Sequence, residues 1–409
     1  MQLKNKNKLA LAATGLLSAV NVSTASAGDW DHEAAVLYYG ESDERVIDGS
    51  VKYKGVRTDD AGKILSLNIG IDTLTGSSPS GVTTSTSVQT LTSPSGNGTV
   101  VHPANELPLD DTFRDTRVSG GASWDQSIID EKTRGNAGFS FSKEYDYLHL
   151  GVSGGLSREL NNKNTTFSVG LAYSADTVEP VGGSPKALTS SDEKGAASES
   201  KDVIDAVIGV TQVLSKDTIL QFNYGISQAD GYLNDPYKWV SRVDSTGTIV
   251  ENLHESRPDS RVGQNLYAAI KHNVSADNIL SSSARFYSDD WGINSITLDT
   301  KYRFDLGNKR SIEPHLRYYH QSAADFYAVQ LDSADALPEH ASADYRLAEF
   351  DAYTIGGTYR WGGSNNRKWR VTGEYYSQNP AKVELTDDQA GLDANPGFDA
   401  LMLSMGVKF

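Results

Sequence analysis

Nine ionisable residues in the C-terminal part of the chain, Arg285, Asp299, Lys301, Arg303, Glu313, His315, Arg317, Arg370 and Glu374, alternate with uncharged, mostly apolar neighbours. A period of two puts such residues on one face of a strand. Two readings of that face are open. The charges either pair across neighbouring strands and hold register, or they set up a field across a water-filled passage and bias which ions or solutes pass. Other chemistry is poorly served. His315 and His320, five residues apart in a strand, fall on opposite faces and cannot chelate one ion together, while His149, His254 and His340 are scattered. Asp387-Asp388 and Asp332 with Asp335 lack the spacing of a calcium loop. Ser322, His320 and Asp325 form a nearby serine, histidine and acid trio, but no Gly-x-Ser-x-Gly elbow surrounds it. We therefore expect no enzyme, no metal site and no cofactor.

What must position the nine residues is a set of strands. From Ile64 onward, Leu65, Leu67, Ile69 and Ile71 alternate with Ser66, Asn68, Gly70 and Asp72. The same rhythm returns at Leu220, Phe222, Tyr224 and Ile226, and again at Ile296, Leu298, Thr300, Tyr302 and Phe304. It predicts about sixteen strands of roughly ten or more residues, longer than the ~5–6 usual in globular sheets. Their expected cores are 31–40, 45–57, 63–74, 112–125, 134–143, 146–157, 165–177, 202–214, 218–229, 261–273, 279–289, 293–305, 310–322, 348–361, 368–378 and 398–409.

Loop length segregates by parity. Every second connection is short, as at 58–62, 215–217 and 306–309, and the five long segments, 75–111, 178–201, 230–260, 323–347 and 379–397, all fall in the other class. An up-and-down transmembrane barrel has this arrangement, with short periplasmic turns and long extracellular loops. Two of them read as plain loops, the first a Ser/Thr/Gly/Pro tract with little to bury and the second, SDEKGAASESKD, polar throughout, and neither suggests a separate domain. Glycine pairs such as Gly120-Gly121, Gly154-Gly155 and Gly356-Gly357 read as bends that let a sheet curl shut.

The N-terminus fits export. Lys4, Lys6 and Lys8 precede an apolar run from Leu9 to Val20 and the small-x-small triplet Ala25-Ser26-Ala27, which together read as a signal peptide over 1–27 with the barrel at 28–409. Its removal takes three of the 37 basic residues and none of the 53 acids, so that 34 basic side chains face 53 acidic ones, a formal charge of −19. That balance argues against a nucleic-acid partner. There is no cysteine, so disulfides and thiolate chemistry are excluded.

Aromatic residues flank the expected spans, with Trp30, Trp124, Trp361 and Trp369 at the short-turn end and Trp291 in a tight turn at the other, as in the girdles of membrane barrels. The last strand carries Leu401, Leu403, Met405, Val407 and Phe409 on one face. It resembles the C-terminal signal read by barrel-insertion machinery, with Ser404 where glycine is common.

The segments RPDSR (257–261), RFYSDDWGI (285–293), RYYHQSAADFY (317–327) and FDAYTIGG (350–357) resemble a proteobacterial family catalogued as a domain of unknown function. The resemblance covers nearly all of the mature chain and implies an outer-membrane β-barrel, with no catalytic residue to carry over. The expected protein is thus an all-β, antiparallel barrel of about sixteen strands in a Gram-negative outer membrane. Its partners there are lipid, lipopolysaccharide and the insertion machinery. A porin-like passage for small hydrophilic solutes is expected, with a structural or partner-docking barrel for another exported protein as the alternative.

Overall fold

The computed structural model describes residues 30–42, 45–92, 99–190, 194–275, 277–363, 367–383, 385, 395 and 397–409. The expected signal peptide and Asp387-Asp388 lie outside them. In chain order the strands are β1 (Trp30–Glu41), β2 (Ile47–Thr58), β3 (Ile64–Pro79), β4 (Gln89–Thr92), β5 (Thr99–His102), β6 (Leu109–Ser127) and β7 (Thr133–Lys143). Then come β8 (Tyr147–Leu160), β9 (Thr165–Val178), β10 (Glu199–Ser215), β11 (Thr218–Gly231), β12 (Trp239–Val243), β13 (Ile249–His254) and β14 (Ser260–Ser275). The last are β15 (Asn278–Asp289), β16 (Asn294–Gly307), β17 (Arg310–Gln321), β18 (Gln330–Asp332), β19 (Phe350–Gly362), β20 (Lys368–Pro380) and β21 (Phe398–Lys408).

Sixteen of these close into one barrel in the order β1-β2-β3-β6-β7-β8-β9-β10-β11-β14-β15-β16-β17-β19-β20-β21. Every neighbouring pair is antiparallel, and β1 meets β21 along a seam from Glu33↔Lys408 to Glu41↔Ala400. All sixteen expected strands are present. The ladder enforces the alternation read in the sequence: Leu67, Ile69 and Ile71 on β3 and Leu171 on β9 point away from the axis and lie exposed, Ile69 at 57%. Comparable apolar side chains ring the whole wall. A water-soluble surface rarely carries a continuous apolar patch beyond a few hundred Å²; a belt of this kind is what a bilayer covers. No helix among the described residues is long and apolar enough to cross a membrane.

The 75–111 and 178–201 loops depart from expectation. Their described residues are not open polar tracts but join the 230–260 and 323–347 loops in a folded lid. β12 pairs antiparallel with β13 and parallel with β18, so that segments about ninety residues apart in sequence form one small sheet. The 80–108 segment docks on it: Trp239 N donates to Ser80 O (2.9 Å), Thr83 N to Ser241 Oγ (3.0 Å) and Thr83 Oγ1 to Gln330 Oε1 (3.2 Å). Thr83, expected in a loop with little to bury, is 1% exposed. The 179–198 segment joins through Leu188 N to His254 O (2.9 Å) and His254 N to Thr189 O (3.0 Å).

Two apolar clusters seat the lid, one of Val240, Leu253 and Ala341 and one of Trp291, Ile293, Ala324 and Leu347. Trp291 therefore belongs to no aromatic girdle; it is 4% exposed and forms the centre of the second cluster. A side chain in a tight turn reads like a membrane anchor in sequence because the loops that cover it come from elsewhere in the chain.

The lid crosses the mouth of the barrel. On β17, Gln321 Nε2 donates to the carbonyls of Arg346 (3.0 Å) and Ala348 (2.8 Å). In the turn between β7 and β8, Asp146 accepts from the Tyr237 hydroxyl. β7 and β17 stand eight places apart in the ring of sixteen, so the lid touches opposite sides of the wall.

Candidate functional site: a charged wall beneath a latched lid

The lumen has two unlike walls. Around β3 to β9 one ring of inward positions reads Asn68, Gly121, Ser140, Gly151 and Ser174, and the next Ser66, Ser123, Gly138, Ser153 and Ala172. These side chains are small and uncharged. Around β15 to β20 the corresponding positions carry all nine residues singled out above. Asp299, Arg317, Thr354 and Tyr376 stand in one row, and Lys301, His315, Gly356 and Glu374 in the next.

Most of the nine are paired across strands. His315 Nδ1 lies 2.7 Å from Glu374 Oε1 and Nε2 2.8 Å from Asp299 Oδ2, so that one imidazole bridges β16, β17 and β20. It can do so because β19 puts Gly356 between His315 and Glu374. A Cβ there would lie 2.4 Å from Gly373 O and 2.7 Å from Glu374 Cα. Gly356 is part of an unbroken ladder on both sides, and it clears space for a side-chain bridge. Gly406 does the same for Arg370 and Glu33, which meet across β21. Glu313 accepts from Arg303 Nε (3.1 Å) and Arg360 Nη2 (3.0 Å). Arg285, Lys301 and Arg317 make no ion pair among the described residues. The charged wall thus serves register through its pairs and leaves three cations facing the lumen.

Above the wall, the lid is held by buried charges that sequence reasoning did not find. Arg257 Nη2 donates to Glu255 Oε2 (3.0 Å) and to Asp344 Oδ2 (2.8 Å), joining the 232–259 and 322–349 segments. Ser342 Oγ also donates to Glu255. Arg346 holds Asp344 and reaches Asp235 Oδ2 (2.6 Å). Burial pushes the Glu255 carboxyl up, against the pull of Arg257. Burial also opposes the charge on Asp344, yet Arg346, Lys238 and Arg257 together hold its carboxyl well below the usual carboxylate range. Unpaired charge in such a place would be costly.

The segments that carry the family resemblance converge here. Arg257 of RPDSR is the latch. Arg261 donates through Nε to Asp289 Oδ2 (2.8 Å) and lies 4.4 Å over the Trp291 ring. Trp291 Nε1 in turn donates to Ser260 O (2.8 Å), and Phe326 of SAADF packs edge-on against its ring at 5.1 Å. Gly292 has a φ of +87°, and a Cβ there would run into the Asp325 carboxylate. Three motifs with no evident purpose in the sequence are one packed unit.

Ser322, His320 and Asp325 do not assemble. Ser322 Oγ donates to Gly292 O (3.0 Å) and accepts from Asn294 N (2.9 Å), whereas His320 turns to Asp351 Oδ1 at 3.2 Å. His315 and His320 have separate partners, as their spacing required. Asp332 and Asp335 shape a turn, with Ala334 N and Asp335 N both donating to Asp332. Among the described residues, one carboxylate group has atoms close enough for a cation, Asp115, Glu144 and Asp146, within 4.8 Å of one another. Burial and the neighbouring Asp115 push Glu144 up, and Asp146 is already engaged by Tyr237.

At the other end, Trp361 and Trp369 stack across β19 and β20 (6.2 Å between centroids), and Phe409 stacks on His32 (5.3 Å) while exchanging backbone hydrogen bonds with it. Met405 and Val407 take their places on the outer face of the seam strand.

Several solved structures are similar to the chain at low identity. The chain is similar to CdiB from Acinetobacter baumannii, at 8% identity and a TM-score of 0.44, covering 94% of this chain and 61% of that one. A mutant ferric enterobactin receptor from Pseudomonas aeruginosa, in complex with enterobactin, matches at 10% identity and a TM-score of 0.41, covering 87% and 55%. A bacterial polysaccharide outer membrane secretin matches at 8% identity and 0.45, covering 94% and 99%. The chain spans little more than half the length of the receptor and of CdiB. No curated protein sequence matches it. The family described as "protein of unknown function (DUF3570)" matches residues 6–409, and the chain belongs to that family.

Proposed function

We propose that the protein is an outer-membrane barrel through which small hydrophilic solutes pass, with the lid narrowing its extracellular mouth. The observation that carries this reading is the lumen itself. Sixteen strands enclose a wide interior, two rings of one wall are small and uncharged while its charges at other levels, Asp72 with Arg117, Asp125 with Arg134 and His149 with Asp176, are paired, and the other wall leaves Arg285, Lys301 and Arg317 without ion-pair partners among the described residues. A water-filled path beside unpaired cations favours anions, because a fixed charge between low-dielectric walls concentrates its counter-ion. The acids that give the chain its negative balance do not reverse this where they lie in loops, since salt screens them over ~8 Å.

The test is conductance in a planar bilayer. Discrete channel events are expected, and the double variant Arg285→Gln/Arg317→Gln should move the reversal potential toward cations. Folded protein that never conducts, even with its lid released, would remove the channel reading. One observation favours the docking alternative: an ordered sheet covers the mouth and presents an outer face to the medium. If the folded barrel is silent, co-purification of an exported partner dependent on β13 becomes the deciding measurement.

A further inference from the structure

At the short-turn end of the lumen, β19, β20 and β21 with the adjoining turns line an open cavity of about 480 Å³ whose basic side chains are Lys309, Arg360, Arg367, Lys368, Arg370 and Lys408. Two features of the sheet make this cluster unusual. Arg360 stands directly opposite Arg370 in the β19–β20 ladder, and Lys368 directly opposite Lys408 in the β20–β21 ladder. Like charges facing each other across a ladder destabilise it, and here two such pairs are adjacent. The nearby carboxylates do not balance them. Glu33 takes Arg370, Asp31 takes Lys408 at 3.1 Å, and Glu313 is shared by Arg360 and Arg303. With Arg367, which also lines the cavity, and Arg303 included, seven cations stand against three acids. Arg360 Nη1, moreover, is buried with no hydrogen-bond partner. Glycines at 362, 363 and 406 leave the floor without side chains.

We infer that this cavity binds a phosphate-type dianion, whether free, carried on a small phosphorylated solute, or presented by a lipid headgroup at the rim. A doubly charged tetrahedral group relieves both repulsive pairs at once, and a guanidinium fork matches its oxygens. The cavity is far larger than the ~30 Å³ that a water molecule occupies, so a phosphate fits with its waters or with a small organic group attached. The inference concerns binding and stands whether or not the lumen conducts.

The experiment is calorimetric titration of inorganic phosphate into the folded full-length barrel in a neutral, lipid-free detergent, with glucose as the uncharged control. Saturable binding of phosphate and none of glucose are expected. Lys309→Gln/Lys368→Gln removes two cations that pair with no acid among the described residues, and should weaken binding at least tenfold. Arg360→Gln, checked for folding by heat-modifiable gel migration, should weaken it as well. Repeating the titration in nanodiscs containing phosphatidic acid, whose headgroup is a phosphate monoester, against nanodiscs with the same charge supplied by phosphatidylglycerol, a monoanionic diester, separates the sources: lower apparent affinity for phosphate in the phosphatidic acid discs alone identifies the headgroup as the occupant, and equal affinity in both identifies a soluble one. Absence of binding in detergent, or binding that both variants leave intact, would overturn the inference.

Discussion

Replacing Arg257 with methionine tests the lid directly. The side chain is buried between Glu255 and Asp344, at 3.0 Å and 2.8 Å, and its removal leaves two carboxylates without it. Asp344 keeps Arg346; Glu255 keeps only Ser342 and the Asp235 amide. Removing one partner of a buried pair costs about 3–5 kcal/mol. At ~1.4 kcal/mol per tenfold, the ratio of closed to open lid should fall on the order of a hundredfold to a few thousandfold. The barrel should not feel it, because its ladder and apolar belt are independent of the latch. Limited trypsin digestion of the protein in nanodiscs reads the result: Lys238, 6% exposed within the lid, should become a rapid cleavage site while heat-modifiable migration stays unchanged. Adding Glu255→Gln to the variant removes the carboxylate left with least compensation and should restore part of the protection. If Lys238 stays protected in the single variant and conductance does not rise, the latch does not hold the mouth and the reasoning from buried charge is wrong.

Three further outcomes follow from the same geometry. Gly356→Val puts a side chain where even a Cβ meets backbone at 2.4 Å and would separate His315 from Glu374; a loss of about 1–3 kcal/mol, typical of overpacking, should appear as a lower temperature for the heat-induced gel shift, and an unchanged temperature would show that the bridge tolerates intrusion. Acid should spare the lid. The depressed Asp344 contributes stability that is present above its unfolded value and is lost only as pH falls through its depressed one, while ionised Glu255 is a cost that protonation removes through its raised one, so protection of Lys238 should persist to about pH 4, the ordinary Asp value; opening near neutral pH would contradict this sign. Deleting Phe409 removes its ring from His32 and two backbone hydrogen bonds from the seam, and should reduce the fraction of protein inserted; full assembly without it would rule out a role for the terminal aromatic.

The sixteen strands were legible because each is a local statement. A period of two over ten residues needs no partner to be seen, and a barrel wall with lipid outside and water inside repeats it at every turn. The chain departs most from that reading above the membrane. β3 runs to Pro79 and β6 begins at Leu109, beyond the expected 74 and 112, because those ends rise past the apolar belt toward the lid, where no alternation is required. The inward placement of Asp299, Arg303, His315, Arg317 and Glu374 likewise followed from parity alone.

What parity could not decide is which charges meet. Whether His315 bridges Asp299 and Glu374 depends on Gly356 standing between two strands that are joined only by the ladder, and the facing of Arg360 with Arg370 depends on register to a single residue. The lid was invisible for a stronger reason. Thr83 finds Ser241 and Gln330, 158 and 247 residues away, and Asp235 finds Arg346 across 111. Segments held by such contacts carry no period, since their neighbours come from other loops rather than from a repeating ladder. Sequence by itself determined the wall, its two faces and the parity of its long loops; the tertiary structure decided that the described parts of the first four close over the mouth, because only the barrel brings their ends close enough to share a core.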